Sequence, residues 1–93
     1  MISSNTLNQM YEKLHNLDSA YNACVNYIDY VNSCIENNEH MFMQSLIPYK
    51  QYDETRKTLN KQVMSLNEDA KKYHKKSFLL RQKIYNMSGN TCF

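Results

Sequence analysis

Apolar side chains recur every three or four residues along two long stretches of this sequence, and that spacing constrains the fold more than any other feature. The first stretch can be followed in alternating three- and four-residue steps through Leu7, Met10, Leu14, Leu17, Tyr21, Cys24, Ile28, Val31, Ile35, Asn38 and Phe42. The residues farthest from these around a helix are polar. This is the heptad repeat of an α-helix that buries one narrow side against another helix.

A second stretch has the same spacing in a weaker form. One row, with an interval of seven residues, consists of Tyr52, Leu59, Leu66, Tyr73, Leu80 and Met87. An interleaved row consists of Arg56, Val63, Ala70, Ser77 and Ile84. The polar side chains of Arg56 and Ser77 interrupt the second row, but the repeat continues to Met87. The pattern predicts a second helix.

The break between the stretches falls at Pro48, which has no N–H to donate and disfavours a helical conformation at Ile47. Asp53 is the expected N-cap of the second helix, and Gly89, after Ser88, is its expected stop. The sequence therefore predicts a single domain over residues 1–93, with a helix at about 5–46, a turn at about 46–52, a helix at about 53–87 and a short tail at 88–93.

The composition favours the same architecture, because the chain has one glycine, one proline and no tryptophan. Folds rich in loops or sheets need more turn residues than this. A short connection makes the two helices antiparallel neighbours, with facing residue numbers that sum to about 97. We predict an all-α fold of two long antiparallel helices, a helical hairpin or coiled coil. Its seam, the line along which the helices meet, would be formed by Leu7, Leu14, Leu17, Ile28, Val31, Ile35, Leu59, Val63, Leu66, Leu80 and Ile84.

Further apolar residues lie beside the seam, at positions where a two-stranded coiled coil usually carries charges. Such a wide apolar surface is typical of bundles with three or four helices, built with a partner or with a second copy. Isolated surface hydrophobes are common, but clustering favours a contact surface. The candidate partner interface comprises Tyr11, Val25, Tyr27, Met41, Met64, Phe78, Leu79 and Tyr85.

Charge is divided unequally between the two helices, although the net charge is only +2. Residues 5–43 carry five acids and one lysine, whereas residues 50–83 carry ten basic residues and four acids. This division favours pairing of the helices and would set their register more than their stability. A lysine-rich side of the second helix is a candidate basic surface, although a solvated helix face is the favoured interpretation. It comprises Lys72, Lys75, Lys76 and Lys83.

Two polar residues, Asn38 and Arg56, occupy seam positions. They either select the register or the oligomeric state, or mark a hydrated seam near the turn. Both interpretations stay open from sequence alone.

Catalytic and metal-binding patterns do not emerge from the sequence. The histidines are far apart, and no Cys/His spacing matches a metal site. Cys24 and His74 are expected at the same level of the hairpin, but a two-helix rod offers neither an oxyanion hole nor a pocket. A buried thiol beside a surface histidine is therefore the favoured interpretation. We expect no enzymatic activity, no cofactor and no metal.

The predicted function is that of a non-catalytic coiled-coil interaction or scaffold subunit of an intracellular multiprotein assembly, with a helical protein or the chain itself as partner. The alternative is a small helical module that binds nucleic acid or an anionic surface through the lysine-rich side. Three cysteines without a paired motif favour reduced thiols. No signal peptide or transmembrane segment is recognised, so we expect a soluble protein of the cytoplasm or nucleus.

Overall fold

The computed structural model describes residues 4–87, which form two long antiparallel α-helices joined by a short turn. Helix α1 comprises Ser4–Met43 and helix α2 comprises Tyr49–Met87. No strand occurs in this part of the chain, so the predicted all-α helical hairpin is confirmed. Each helix is about 60 Å long at a rise of 1.5 Å per residue. Within residues 4–87, neither helix has a segment of the length and apolarity needed to cross a membrane.

The end of α1 is fixed by a backbone conformation that the sequence does not indicate. The helix ends at Met43 rather than near residue 46. The N–H of Leu46 donates to the carbonyl of Met41 at 2.8 Å, and the N–H of Ser45 donates to the carbonyl of Phe42 at 2.9 Å. These two bonds define a Schellman motif, in which the residue after the helix adopts a left-handed conformation. Here Ser45 occupies that position with φ of 60°, where glycine is the usual residue.

The beginning of α2 follows directly from the single proline. The helix begins at Tyr49 rather than at residue 53. The carbonyl of Pro48 accepts a hydrogen bond from the N–H of Tyr52 at 3.1 Å. Proline suits a helix entry because its φ is already helical and the N–H that it lacks would have no partner there. Pro48 therefore lies at the start of the second helix, whereas the first helix ends at Met43.

The prediction that Asp53 caps α2 is wrong, because the helix has already begun four residues earlier. Its carboxylate instead binds the guanidinium of Arg56 at 2.5 Å and the ammonium of Lys57 at 3.0 Å. The hydrogen bonds from Arg56 and then from Lys57 hold the pKa of Asp53 below its usual value. Arg56 thus forms an ion pair within its own helix.

The expected helix stop at Ser88 and Gly89, the tail at 88–93 and Cys92 lie outside the described residues.

The core of the hairpin is thin. Among residues 5–87, the buried apolar residues are Val31, Ile47, Ala70 and Ile84, and the buried polar residues are Asn38 and Ser77. The Cα radius of gyration is 20.4 Å, whereas a compact domain of this length would have a radius of about 12 Å. The rod shape leaves a broad open side on either flank of the seam.

The strained serine in the turn leads to a test of the turn geometry. We expect Ser45→Gly to raise the free energy of unfolding by about 0.5–1 kcal/mol, because glycine adopts a positive φ without a Cβ clash. The matched control is Ser65→Gly at an exposed position inside α2, which should lower it by about 0.5–1 kcal/mol. Urea unfolding at a fixed protein concentration measures both changes. Destabilisation by both substitutions would contradict the left-handed turn.

Candidate helix-binding surfaces

The predicted seam residues all lie buried or half-buried. Val31 and Ile84 are the buried members. The others are half-buried, namely Leu7, Leu14, Leu17, Ile28, Ile35, Leu59, Val63, Leu66 and Leu80. A two-helix seam of this kind keeps part of each apolar side chain accessible, so it excludes water incompletely.

The register of the two helices is set by pairs whose residue numbers sum to about 95. The ring of Tyr21 lies 5.6 Å from that of His74, and Asp18 bonds to Ser77. Asp18 also bonds to Arg81, whose number gives a sum of 99, so these contacts lie on either side of the expected sum of about 97.

Polar side chains of both helices meet around Ser77, which is only 2% exposed. The Ser77 hydroxyl donates to one carboxylate oxygen of Asp18 at 2.6 Å and accepts from the Arg81 guanidinium at 3.2 Å. A second Arg81 nitrogen donates to the other Asp18 oxygen at 2.5 Å. Each group is satisfied by the other two, as a buried hydroxyl requires. In the sequence, Ser77 was recognised only as an interruption of an apolar row. The signal that could have predicted the cluster is the spacing of Ser77 and Arg81 by one helical turn, opposite Asp18 of the other helix.

A second polar connection lies beside the turn. The side-chain amide of Asn38, which is 7% exposed, donates to the backbone carbonyl of Tyr52 at 3.1 Å. The ring of Phe42 stacks on that of Tyr52 at a centroid distance of 4.5 Å and meets Tyr49 at 5.9 Å. The amide bond and the aromatic cluster hold the end of α1 against the first turns of α2, which fits a role for Asn38 in fixing the register.

The candidate partner residues are divided between the two open sides of the hairpin. Residues seven apart lie on the same side of a helix, and Val25 and Met41 are about 160° apart around α1. Val25 lines a groove with His74, whereas Met41 lines a different groove with Leu59. We call the two sides the Val25 face and the Met41 face.

The Val25 face contains three rows with an interval of seven residues. On α1 the row is Tyr11, Asp18, Val25, Asn32 and Glu39. The α2 row nearer the seam is Asn60, Asn67, His74 and Arg81. The α2 row farther from the seam is Lys50, Lys57, Met64, Lys71, Phe78 and Tyr85. Of the candidate partner residues on this face, Val25 is half-buried, and the others are exposed, namely Tyr11, Met64, Phe78 and Tyr85.

The Met41 face carries the remaining three candidate partner residues. Tyr27 and Leu79 are about half exposed, and Met41 is half-buried. Toward the open end of the hairpin this face is strongly basic.

The candidate basic surface extends across both helices. Lys72, Lys75, Lys76 and Lys83 are all exposed. Lys76 and Lys83 border a groove with Lys13 of α1, and the other residues of this groove are Leu17, Leu79 and Leu80. The basic surface was predicted from the second helix alone, so Lys13 was missed, because it joins the surface only through the antiparallel pairing.

Side chains capable of chemistry are dispersed along the rod. Among residues 4–87, no group of three or more His, Cys, Asp or Glu side chains is placed to hold a metal ion. Cys24 and Cys34 are free, half-buried thiols. The His74 imidazole, expected at the level of Cys24, lies against the ring of Tyr21.

Comparisons with known proteins return no match: no family model, no curated protein sequence and no solved structure matches this chain. The seam and the two open faces are therefore the features of the chain that bear on its function.

The cluster around Ser77 can be tested by a double-mutant cycle. Asp18→Ala should cost about 1–3 kcal/mol of unfolding free energy, because the buried Ser77 hydroxyl loses its acceptor. Combination with Ser77→Ala should reveal a coupling energy of about 1 kcal/mol in chemical denaturation. Glu12→Ala, at an exposed position of α1, is the control and should show no coupling to Ser77. Additive effects of the Asp18 and Ser77 substitutions would contradict the hydrogen bond.

Proposed function

We propose that this chain is a non-catalytic helical-hairpin subunit that acts by packing its open faces against other helices in a multiprotein assembly. The observation that carries the proposal is the distribution of apolar side chains. Four apolar residues are buried among residues 5–87, whereas ten large ones are exposed. The exposed ones are Tyr11, Tyr27, Tyr30, Met43, Leu46, Tyr49, Met64, Phe78, Leu79 and Tyr85.

The total surface area supports the same proposal. The chain exposes 7223 Å², whereas a compact monomer of 11.1 kDa would expose roughly 5,700 Å². The excess of about 1,500 Å² exceeds the roughly 800 Å² that each partner buries in an interface of standard size. Packing against another helix would remove part of this apolar surface from water, which is worth about 25 cal/mol per Å².

The arrangement of the exposed residues also favours helical partners. Met64, Phe78 and Tyr85 follow one another at multiples of seven residues, so they form a row along α2. Rows of this kind fit the grooves of a neighbouring helix, whereas isolated apolar residues carry no such order.

The proposal predicts that assembly, and not folding, depends on exposed aromatic residues. Phe78→Asp with Tyr85→Asp should leave helicity by circular dichroism within about 10% of the original. We expect the tagged original chain to be recovered from its native source in a stoichiometric complex, either with a second copy or with another chain. The double substitution should abolish this complex. Light scattering measures the mass of that complex.

A matched control adds the same charge at positions that point away from the seam, one on each helix. Ser19→Asp with Gln82→Asp, both at exposed positions, should leave the mass of the complex unchanged. Recovery of the original chain as a monomer without a companion would refute the proposed function.

A second candidate function is binding of an anionic surface, and the observation in its favour is the groove bordered by Lys13, Lys76 and Lys83. Lysines around an apolar groove can bind a surface that carries phosphate groups. Electrostatic binding of this kind weakens as the salt concentration rises.

This candidate predicts that Lys72→Glu, Lys76→Glu and Lys83→Glu together abolish salt-sensitive binding to phosphatidylserine vesicles or to duplex DNA. The matched control, Lys50→Glu with Lys61→Glu and Lys71→Glu, reverses the same number of charges on other parts of α2 and should retain most of the binding. Vesicle sedimentation and fluorescence anisotropy measure the two cases. Equal binding by the original chain and the triple variant would eliminate this candidate.

A further inference from the structure

The opposite charges of the two helices are scarcely used within the hairpin. Residues 5–43 sum to −4 and residues 50–83 sum to +6. Among residues 4–87, the ion pair between Asp18 and Arg81 is the one that joins the helices, and the two others lie within α2. Most of the charge on each helix is therefore available to another molecule.

These available charges are sorted by helix on the Val25 face. Along α1, Asp29 and Glu36 form a row beside that of Glu39, and all three acids are exposed. Along α2, Lys50 and Lys71 occupy the row that also holds Phe78, and both lysines are exposed. The face thus has an acidic half on α1 and a basic half on α2, with exposed apolar side chains among the charges.

A surface with this organisation is complementary to itself. A two-fold axis brings the same patch of two copies together, so each feature of the patch must find its complement within the same patch. When α1 of one copy lies along α2 of the other, the acidic half meets the basic half twice. Two helices about 10 Å wide and about 60 Å long offer about 1,200 Å², which exceeds the roughly 800 Å² that a stable interface takes from each partner.

The Met41 face lacks this complementarity. Its exposed charges toward the open end are positive on both helices, with Lys13 on α1 and Lys76 and Lys83 on α2. A second copy packed there would bring like charges together, which opposes association. Charge therefore distinguishes the two faces, although both carry exposed apolar side chains.

We infer that the Val25 face binds a second copy of this chain, with α1 of each copy packed against α2 of the other in a four-helix bundle. This inference rests on the proposed function and names the partner of one face.

The test uses two variants whose charges are reversed on opposite helices. One variant carries Asp29→Lys, Glu36→Lys and Glu39→Lys, and the other carries Lys50→Glu and Lys71→Glu. The original chain should be a dimer by sedimentation equilibrium at about 50 mM salt, where charge effects are weakly screened. Each variant alone should dissociate at a protein concentration at least about tenfold higher, because its interface brings like charges together. An equimolar mixture should form a one-to-one dimer with nearly the original affinity, because reversed acids then meet reversed lysines.

A matched control separates the interface from general charge effects. Glu12→Lys with Lys61→Glu reverses one exposed charge on each helix at positions that point away from the seam. It should change the dissociation constant by less than about twofold. Circular dichroism of all variants checks that the helices are retained.

The outcomes distinguish this inference from the proposed function. The purified chain could be a monomer and yet be recovered from its native source bound to a different chain. That result overturns the second-copy inference and leaves the proposed function standing. A monomer in both settings overturns both. A dimer that tolerates the charge reversals but is broken by Tyr27→Asp with Leu79→Asp places the interface on the Met41 face and overturns the assignment.

Discussion

The hairpin depends on the removal of one apolar strip per helix from water along a line some 60 Å long. Only four apolar residues are buried among residues 5–87, and the remaining seam residues are half covered. Two helices in contact cannot bury their apolar side chains more completely, since each helix has a single neighbour. Both the elongated shape and the exposed aromatic residues follow from this geometry.

The fold was predictable because a period of three to four residues identifies a helix and its buried side without any knowledge of the partner. Pro48 located the turn, but the bounds of the turn were not predictable, because the Schellman motif is built by Ser45, a residue with no special tendency toward a positive φ. The sequence therefore placed the helix end near residue 46, and the N-cap preference of aspartate placed the start of α2 at Asp53. Propensity and pattern locate helices better than their ends.

The surfaces were only partly predictable for a related reason. The sequence identified exposed apolar and basic residues on each helix, but their grouping into faces depends on how one helix lies against the other. Lys13 joined the basic groove, and Ser77 became the centre of a polar cluster, only once the register was known. The register decides which side chains of the two helices become neighbours.

The two polar connections along the seam also limit sliding of one helix along the other. A heptad repeat is translationally degenerate, since displacement by seven residues again sets apolar rows opposite one another. Asn38 and the Asp18–Ser77–Arg81 cluster lie about 30 Å apart along α1. Each forms hydrogen bonds to the other helix that are made in one register. A slipped alignment would leave the buried side chains of Asn38 and Ser77 without their present partners, at about 1–3 kcal/mol for each. The hairpin therefore has one alignment where its apolar rows alone would permit several.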